Sequence, residues 1–146
     1  MIVENRKARH EYYIIESVEA GIELYGTEVK SIRNGGANLK ESWCDIKNGE
    51  IWLKGAHIAP YEKGNIFNRD PLRDKRLLMH RREIQRFYEQ VKQAGLTLVP
   101  LSLYFKGPRV KVSVGLCRGK KLYDKRASAA QADAKREIER NLKNQR

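Results

Sequence analysis

From Tyr12 to Val18 the chain reads Tyr-Tyr-Ile-Ile-Glu-Ser-Val, aromatic and β-branched, and this composition predicts a strand. Glu19-Ala-Gly21 predicts a turn or bulge, after which Ile22 and Leu24 resume the alternation. Gly26-Thr27 opens a short helix, with Thr27 as its cap and Val29 and Ile32 as its inward pair, and Asn34-Gly35-Gly36 ends it. Asn48-Gly49 stands between two alternating segments, the preferred chemistry of a two-residue hairpin turn, so residues 43–59 are expected to supply two paired strands. Residues 60–76 read as a loop, with Gly64, Pro71 and clustered charge. His80 to Ala94 places Ile84, Phe87, Tyr88 and Val91 at helical spacing and stops at Gly95. Val99, Leu101, Leu103 and Phe105 predict one face of a long strand, and Val110, Val112, Val114 and Leu116 one face of its partner beyond Lys106-Gly-Pro-Arg109. Pro100 inside the first of these points to an edge or a bulge. About six strands, two or three short helices and no βαβ alternation predict a mainly β fold, a closed antiparallel β-barrel.

Charge divides the chain. The 146 residues carry a net +12, with 40% hydrophobic and 33% charged side chains. Residues 118–146 hold ten Lys/Arg against four Asp/Glu, half of that excess, and only Leu122, Tyr123, Ile138, Leu142 and scattered alanines could anchor them. Such a segment cannot repay its ordering entropy by burial. The expectation is therefore a barrel over residues 1–117 and a flexible basic C-terminal tail over 118–146. Ala127, Ala129, Ala130, Ala132 and Ala134, with the Glu139–Lys143 pair, favour a helix once a phosphate-rich surface neutralises the charge. No apolar run approaches bilayer length and the first residues lack the core of a secretion signal, so the cytoplasm is expected and no membrane. Nothing demands more than a monomer.

Catalysis finds little support. Walker, GxSxG and HExxH patterns are all missing, and Cys44 and Cys117 stand apart from any metal-binding spacing. A nucleophilic Cys44 helped by a histidine is the rival reading from another class. No catalytic residue, metal or cofactor is expected. Binding is better supported. Arg6/Lys7/Arg9/His10, then Arg69/Arg73/Lys75/Arg76/Arg81/Arg82, then Arg118/Lys120/Lys121/Lys125/Arg126 form three basic groups beside Tyr12, Tyr13, His80 and Tyr123, which can stack on unpaired bases. A polyanion, RNA or DNA, is the partner this implies. A general single-strand-binding barrel would satisfy the same chemistry.

Several stretches have a more specific look: Asn5-x-x-Ala-Arg-His-Glu-Tyr12, Glu19-Ala-Gly21-Ile-x-Leu24, Gly26-Thr-Glu-Val-Lys-Ser-Ile-Arg33 and Asp70-Pro-x-Arg-x-Lys-Arg-Leu-Leu78. With Leu101-Ser-Leu-Tyr-Phe105, Val110-Lys-Val112 and Gly119-Lys-Lys-Leu-Tyr-Asp-Lys-Arg126, they resemble the bacterial SsrA-binding protein family, small protein B, in order and over essentially the whole chain. The resemblance implies an oligonucleotide-binding (OB)-like barrel that holds the tRNA-like domain of transfer-messenger RNA and enters stalled ribosomes with it. The tail would occupy the decoding centre and message channel of the small subunit and become helical there. Elongation factor Tu would be met through the charged RNA, and the protein itself would catalyse nothing. Carried over position by position, Asn5 and Glu19 match residues of the RNA-binding face, and Leu78 a second RNA-contacting segment. Lys7, Arg9 and His10 match the basic stretch before the first strand. Lys120 and Lys121 count with the RNA-binding residues, and Tyr123, Asp124, Lys125 and Arg126 after them match the decoding-centre motif. His80 stands where some members carry Asn, and Tyr123 where many carry His; a tyrosine can stack there but cannot become cationic.

Overall fold

The computed structural model describes residues 2–61 and 68–120. Within them the elements run β1 (Ile2–Glu4), α1 (Arg6–Glu11), β2 (Tyr12–Ile22), α2 (Gly26–Arg33), β3 (Ala37–Asn38), β4 (Trp43–Lys47) and β5 (Glu50–Lys54). Then follow β6 (His57–Ile58), β7 (Lys75–Leu78), α3 (Arg81–Ala94), β8 (Thr97–Lys106) and β9 (Arg109–Gly119). One seven-stranded sheet has the order β1-β8-β9-β2-β7-β5-β4, antiparallel at every pairing, and β3 pairs with β6 apart from it. The mainly β class and the three helices agree with expectation. Closure does not appear in the ladder: among the described residues the sheet ends at β1 and β4, although the curl brings β4 to pack beside β8.

Local chemistry accounts for the elements that were foreseen. Asn48 and Gly49 take φ of 55° and 77°, the left-handed pair of a type I′ turn, and β4 and β5 pair from Trp43↔Lys54 to Lys47↔Glu50. Residues 57–58, expected to extend this hairpin, form β6 instead. Helix α3 ends on Gly95 at φ 65°, whose N–H returns to the Val91 carbonyl, and it buries Ile84 and Phe87. Helix α2 begins on Tyr25 rather than Thr27: the Glu28 side chain accepts from the Tyr25 N–H at 2.8 Å.

The departures come from sheet register. Glu19-Ala-Gly21 is not a turn. β2 runs unbroken from Tyr12 to Ile22, and its irregularity against β9 falls earlier, between Ile14 and Glu16. On β8, Pro100 faces Val114 while Ser102 faces Ser113, so one residue is extra there, as the proline suggested. That bulge divides the face expected for β8. Leu103 and Phe105 join the main core with Leu98, whereas Val99 and Leu101 join a second cluster with Ala8 and Cys117. The segment read as loop up to Arg76 contains the start of β7, which bridges β2 and β5. The polar N-terminus supplies β1 and α1.

The main core lies between the curled sheet and α3, with Ile51, Leu53, Leu77, Val112 and Val114 from the strands meeting Phe87 from the helix. Phe87 is fully buried. Phe87→Ala is expected to lower unfolding free energy by about 3–5 kcal/mol in urea denaturation, the range for large aromatic truncations. A loss under about 1 kcal/mol would show that α3 is not sealed against the sheet.

Candidate nucleic-acid interface

Three of the residues singled out in the sequence come together. Glu19 from β2, Leu78 from the end of β7 and His80 at the cap of α3 line one open cleft of about 520 Å³, together with Arg76, Arg81 and Lys111. The β2–β7 pairing sets Gly21 opposite Leu78, and a side chain at Gly21 would lie 3.3 Å from the Leu78 Cβ. Glycine therefore lets the strands close under Leu78, which stays 45% exposed despite being aliphatic. His80 is the N-cap of α3 but its side chain makes no capping bond, so the exposed imidazole faces outward at the cleft.

Glu19 is anchored from across three strands. The Tyr104 hydroxyl donates to its Oε2 at 2.5 Å and the Lys106 ammonium to its Oε1 at 3.2 Å. Those two donors, the tyrosine first, hold the Glu19 carboxyl below its ordinary range, with Lys111 adding to the effect. Burial and the Glu19 bond push the Tyr104 phenol up to about 12. An acidic group on a cationic face thus has an internal role, since it holds Tyr104 and Lys106 in place at the edge of the cleft it lines. Sequence reasoning missed Tyr104, Lys106 and Lys111. The pairings Tyr104↔Lys111 and Gly21↔Lys111 put them beside β2, and only the register reveals this.

The other sites lie elsewhere. Asn5 is buried, with its Oδ1 accepting from the Ala8 N–H at 3.1 Å, its Nδ2 donating to the Pro100 carbonyl at 2.8 Å and its own N–H to the Leu101 carbonyl at 2.9 Å. It caps α1 and ties it to β8. On that helix, Lys7 pairs with Glu41 at 2.9 Å, Arg9 with Glu4 at 3.1 Å, and His10 is exposed. Asn5 and Lys7 line a second, smaller cleft with Tyr12, Lys40 and Trp43, which shares no residue with the Glu19 cleft. Lys120 sits over the exposed Tyr13 ring at 5.0 Å. Lys121, Tyr123, Asp124, Lys125 and Arg126, with the rest of the basic tail beyond Lys120, lie outside the described residues.

The second basic group is largely spent inside the fold. Arg73 forks onto Glu28, Nη2 to Oε1 at 2.7 Å and Nε to Oε2 at 3.1 Å. Lys75 is fully buried and donates to the carbonyls of Ala56 at 2.9 Å and Pro71 at 3.4 Å, and burial pulls its pKa down. Arg76 bridges Glu23 and Glu50, each at 3.2 Å. Arg81 and Arg82, which open α3, remain exposed.

Both thiols are buried; burial pushes Cys44 strongly up and Cys117 up to about 11, so neither is a thiolate near neutrality. Among the described residues no group of three or more His, Cys, Asp or Glu could hold a metal ion, and no helix is long and apolar enough to cross a membrane.

Comparison with known proteins adds a consistent result. A family model described as SmpB protein matches residues 2–144. The SsrA-binding protein of Acetivibrio thermocellus is 57% identical over 143 residues, covering 98% of this chain and 93% of its own length. That of Clostridium kluyveri is 61% identical over 142 residues, covering 97% of this chain and 90% of its own. A solved chain described under "tmRNA-SmpB: a journey to the center of the bacterial ribosome" aligns with TM-score 0.71 at 46% identity, covering 97% of this chain and 96% of that one.

Two outcomes follow from the geometry. Asn5→Ala removes a helix cap and a buried bond to Pro100, and is expected to cost about 1–3 kcal/mol in urea denaturation; an unchanged midpoint would remove the scaffold role. Tyr104 has its folded pKa raised from the ordinary 10.0, so its contribution to stability is fully present below pH 10.0 and lost as pH climbs toward about 12. In tyrosinate absorbance titrations, the component missing from Tyr104→Phe should be centred at about 12. Glu19→Gln should move that component back toward 10.0, and a missing component already at 10.0 in the parent would contradict the bond.

Proposed function

The chain belongs to the SmpB family, and from that membership we propose that it is an RNA-binding adaptor. It binds SsrA RNA, the transfer-messenger RNA, through the RNA's tRNA-like domain and brings it to stalled bacterial ribosomes, where the nascent peptide is tagged for proteolysis. One observation carries this reading: Glu19, Leu78 and His80, from three different elements, meet in one open cleft flanked by Arg81 and Lys111. Folded RNA is recognised by shape and by its unstacked loop bases, which calls for a rigid patch offering apolar, hydrogen-bonding and cationic groups at once. The cleft has all of these, and its carboxylate is already held by Tyr104 and Lys106, so little ordering remains to oppose binding.

The finer features follow the same reading. The curled sheet, which brings β4 beside β8 without a ladder between them, acts as an OB-like barrel. Arg118 and Gly119 still belong to β9, so of the expected 118–146 tail the part beyond Gly119 is the separate basic segment, disordered when free and helical on the ribosome, with Lys120 and Lys121 at its root and Tyr123 to Arg126 at the decoding centre. The cations of that stretch suit a channel lined by phosphates, where released counterions supply affinity. The α1 cations Lys7, Arg9 and His10 serve as further RNA contacts. Elongation factor Tu is met only through the charged RNA, the protein acts as a monomer in the cytoplasm, and no reaction is catalysed.

Filter binding with the full chain tests the adaptor role. The protein should prefer SsrA RNA over an unstructured RNA of equal length. Glu19→Ala and Leu78→Ala should each weaken that affinity about tenfold or more, as expected for loss of a charge-assisted contact or a buried anchor, with near-native melting. Equal affinity for the two RNAs, or wild-type affinity in both variants, would overturn the reading.

A further inference from the structure

The cleft is continued by a second constellation. From Gly21 opposite Leu78 the β2–β7 contact passes through Ile22 opposite Leu77, and then to the Glu23 N–H donating to the Arg76 carbonyl at 2.9 Å. Two residues beyond stands Tyr25, at most about 20 Å along the chain from Glu19 at the rise of an extended strand. Tyr25 is 46% exposed. The Arg69 guanidinium lies 3.9 Å from the ring centroid and that of Arg73 4.9 Å, both as cation–π contacts.

This arrangement is built from below. Glu28, only 5% exposed, accepts from the Tyr25 N–H at 2.8 Å and from both Nη2 and Nε of Arg73. Arg73 donates in addition to the Glu23 carbonyl at 3.3 Å. The buried Lys75 holds the Pro71 carbonyl, and Asp70 accepts from the Leu72 N–H at 2.9 Å, so the segment between Arg69 and Arg73 is fixed from both sides. An exposed tyrosine that only solvates a surface requires none of this. Here the backbone under the ring and one of its two guanidinium neighbours are ordered by folding, before any ligand arrives.

We propose that Tyr25, with Arg69 and Arg73, is a base-stacking station that takes one unpaired base of the bound RNA and so extends the contact surface beyond the Glu19 cleft. The aromatic ring and the guanidinium groups lying over it both offer planes that stack on any base, and the exposed Arg69 can meet the adjoining phosphate. The inference rests on the adaptor reading and names a further contact within it.

The test uses the full chain and SsrA RNA, in filter binding and in dimethyl sulfate probing of the RNA's unpaired bases. Tyr25→Ala leaves the backbone bond to Glu28 in place, so melting should be near native. Its affinity should fall about fivefold to a hundredfold, the range for losing one base–aromatic stack. Tyr25→Phe should bind within about twofold of the parent, because it keeps the stacking face. One base protected by the parent and by Tyr25→Phe should become reactive with Tyr25→Ala, and Arg69→Ala should weaken binding. If Tyr25→Ala binds and protects like the parent while Glu19→Ala is weakened, the stacking station is wrong and the cleft stands. If both variants bind like the parent, the adaptor reading itself falls.

Discussion

Glu28 is the fulcrum of the face that carries the clefts. Taking a carboxylate out of water costs several kcal/mol unless its oxygens are matched by donors. Here one oxygen meets Arg73 Nη2 and the Tyr25 N–H, and the other meets Arg73 Nε. The carboxylate thereby starts α2, fixes the chain entering β7 and leaves Arg73 no freedom. Its charge also reaches the buried Lys75, whose ammonium, among the described residues, hydrogen-bonds only to carbonyls. The negative charge near Lys75 opposes the desolvation that burial imposes. Removing that carboxylate would strand two cations in or near the interior, a larger penalty than losing a surface pair.

Much of the fold was legible because its signals are local. Asn48-Gly49 states its own turn, and the spacing of Ile84, Phe87 and Val91 states a helix. What was hidden depends on partners distant in the chain. Lys75 looks like loop chemistry and is buried within a strand, since no local pattern announces that Ala56 and Pro71 will offer it carbonyls. The start of α1 was within reach: Asn5 three residues before Ala8 is a capping arrangement, but the basic run that follows drew attention to charge instead. The family resemblance named Glu19, Leu78 and His80 without saying that they meet, and it set Asn5 beside them although the fold buries that residue in another place.

The electrostatics show why counting cations along a sequence overstates a binding surface. The chain's +12 suggests an excess everywhere, yet Lys7, Arg9, Arg73, Arg76, Arg86 and Lys106 each have a carboxylate within 3.2 Å. Those pairs are mostly exposed and individually weak, but they orient side chains and lower the local field. On the described surface Arg81 and Lys111 stand beside Glu19, Arg69 over Tyr25 and Lys120 over Tyr13, while Arg6, Lys47, Arg82 and Arg109 are exposed as well.

The extra residue in β8 between Pro100 and Ser102 acts as a phase shifter. Upstream of it Val99 turns to the α1 side, and downstream Leu103 turns to the main core while its neighbours Tyr104 and Lys106 reach Glu19. Because side chains alternate with a period of two, dropping or adding one residue at that point would exchange inside for outside along the rest of the strand. Leu103 would be stranded in water and the clamp on Glu19 would be turned inward. Chain length at this spot is therefore as tightly constrained as the identity of any core side chain, and an indel there carries a penalty that one in a surface turn would not.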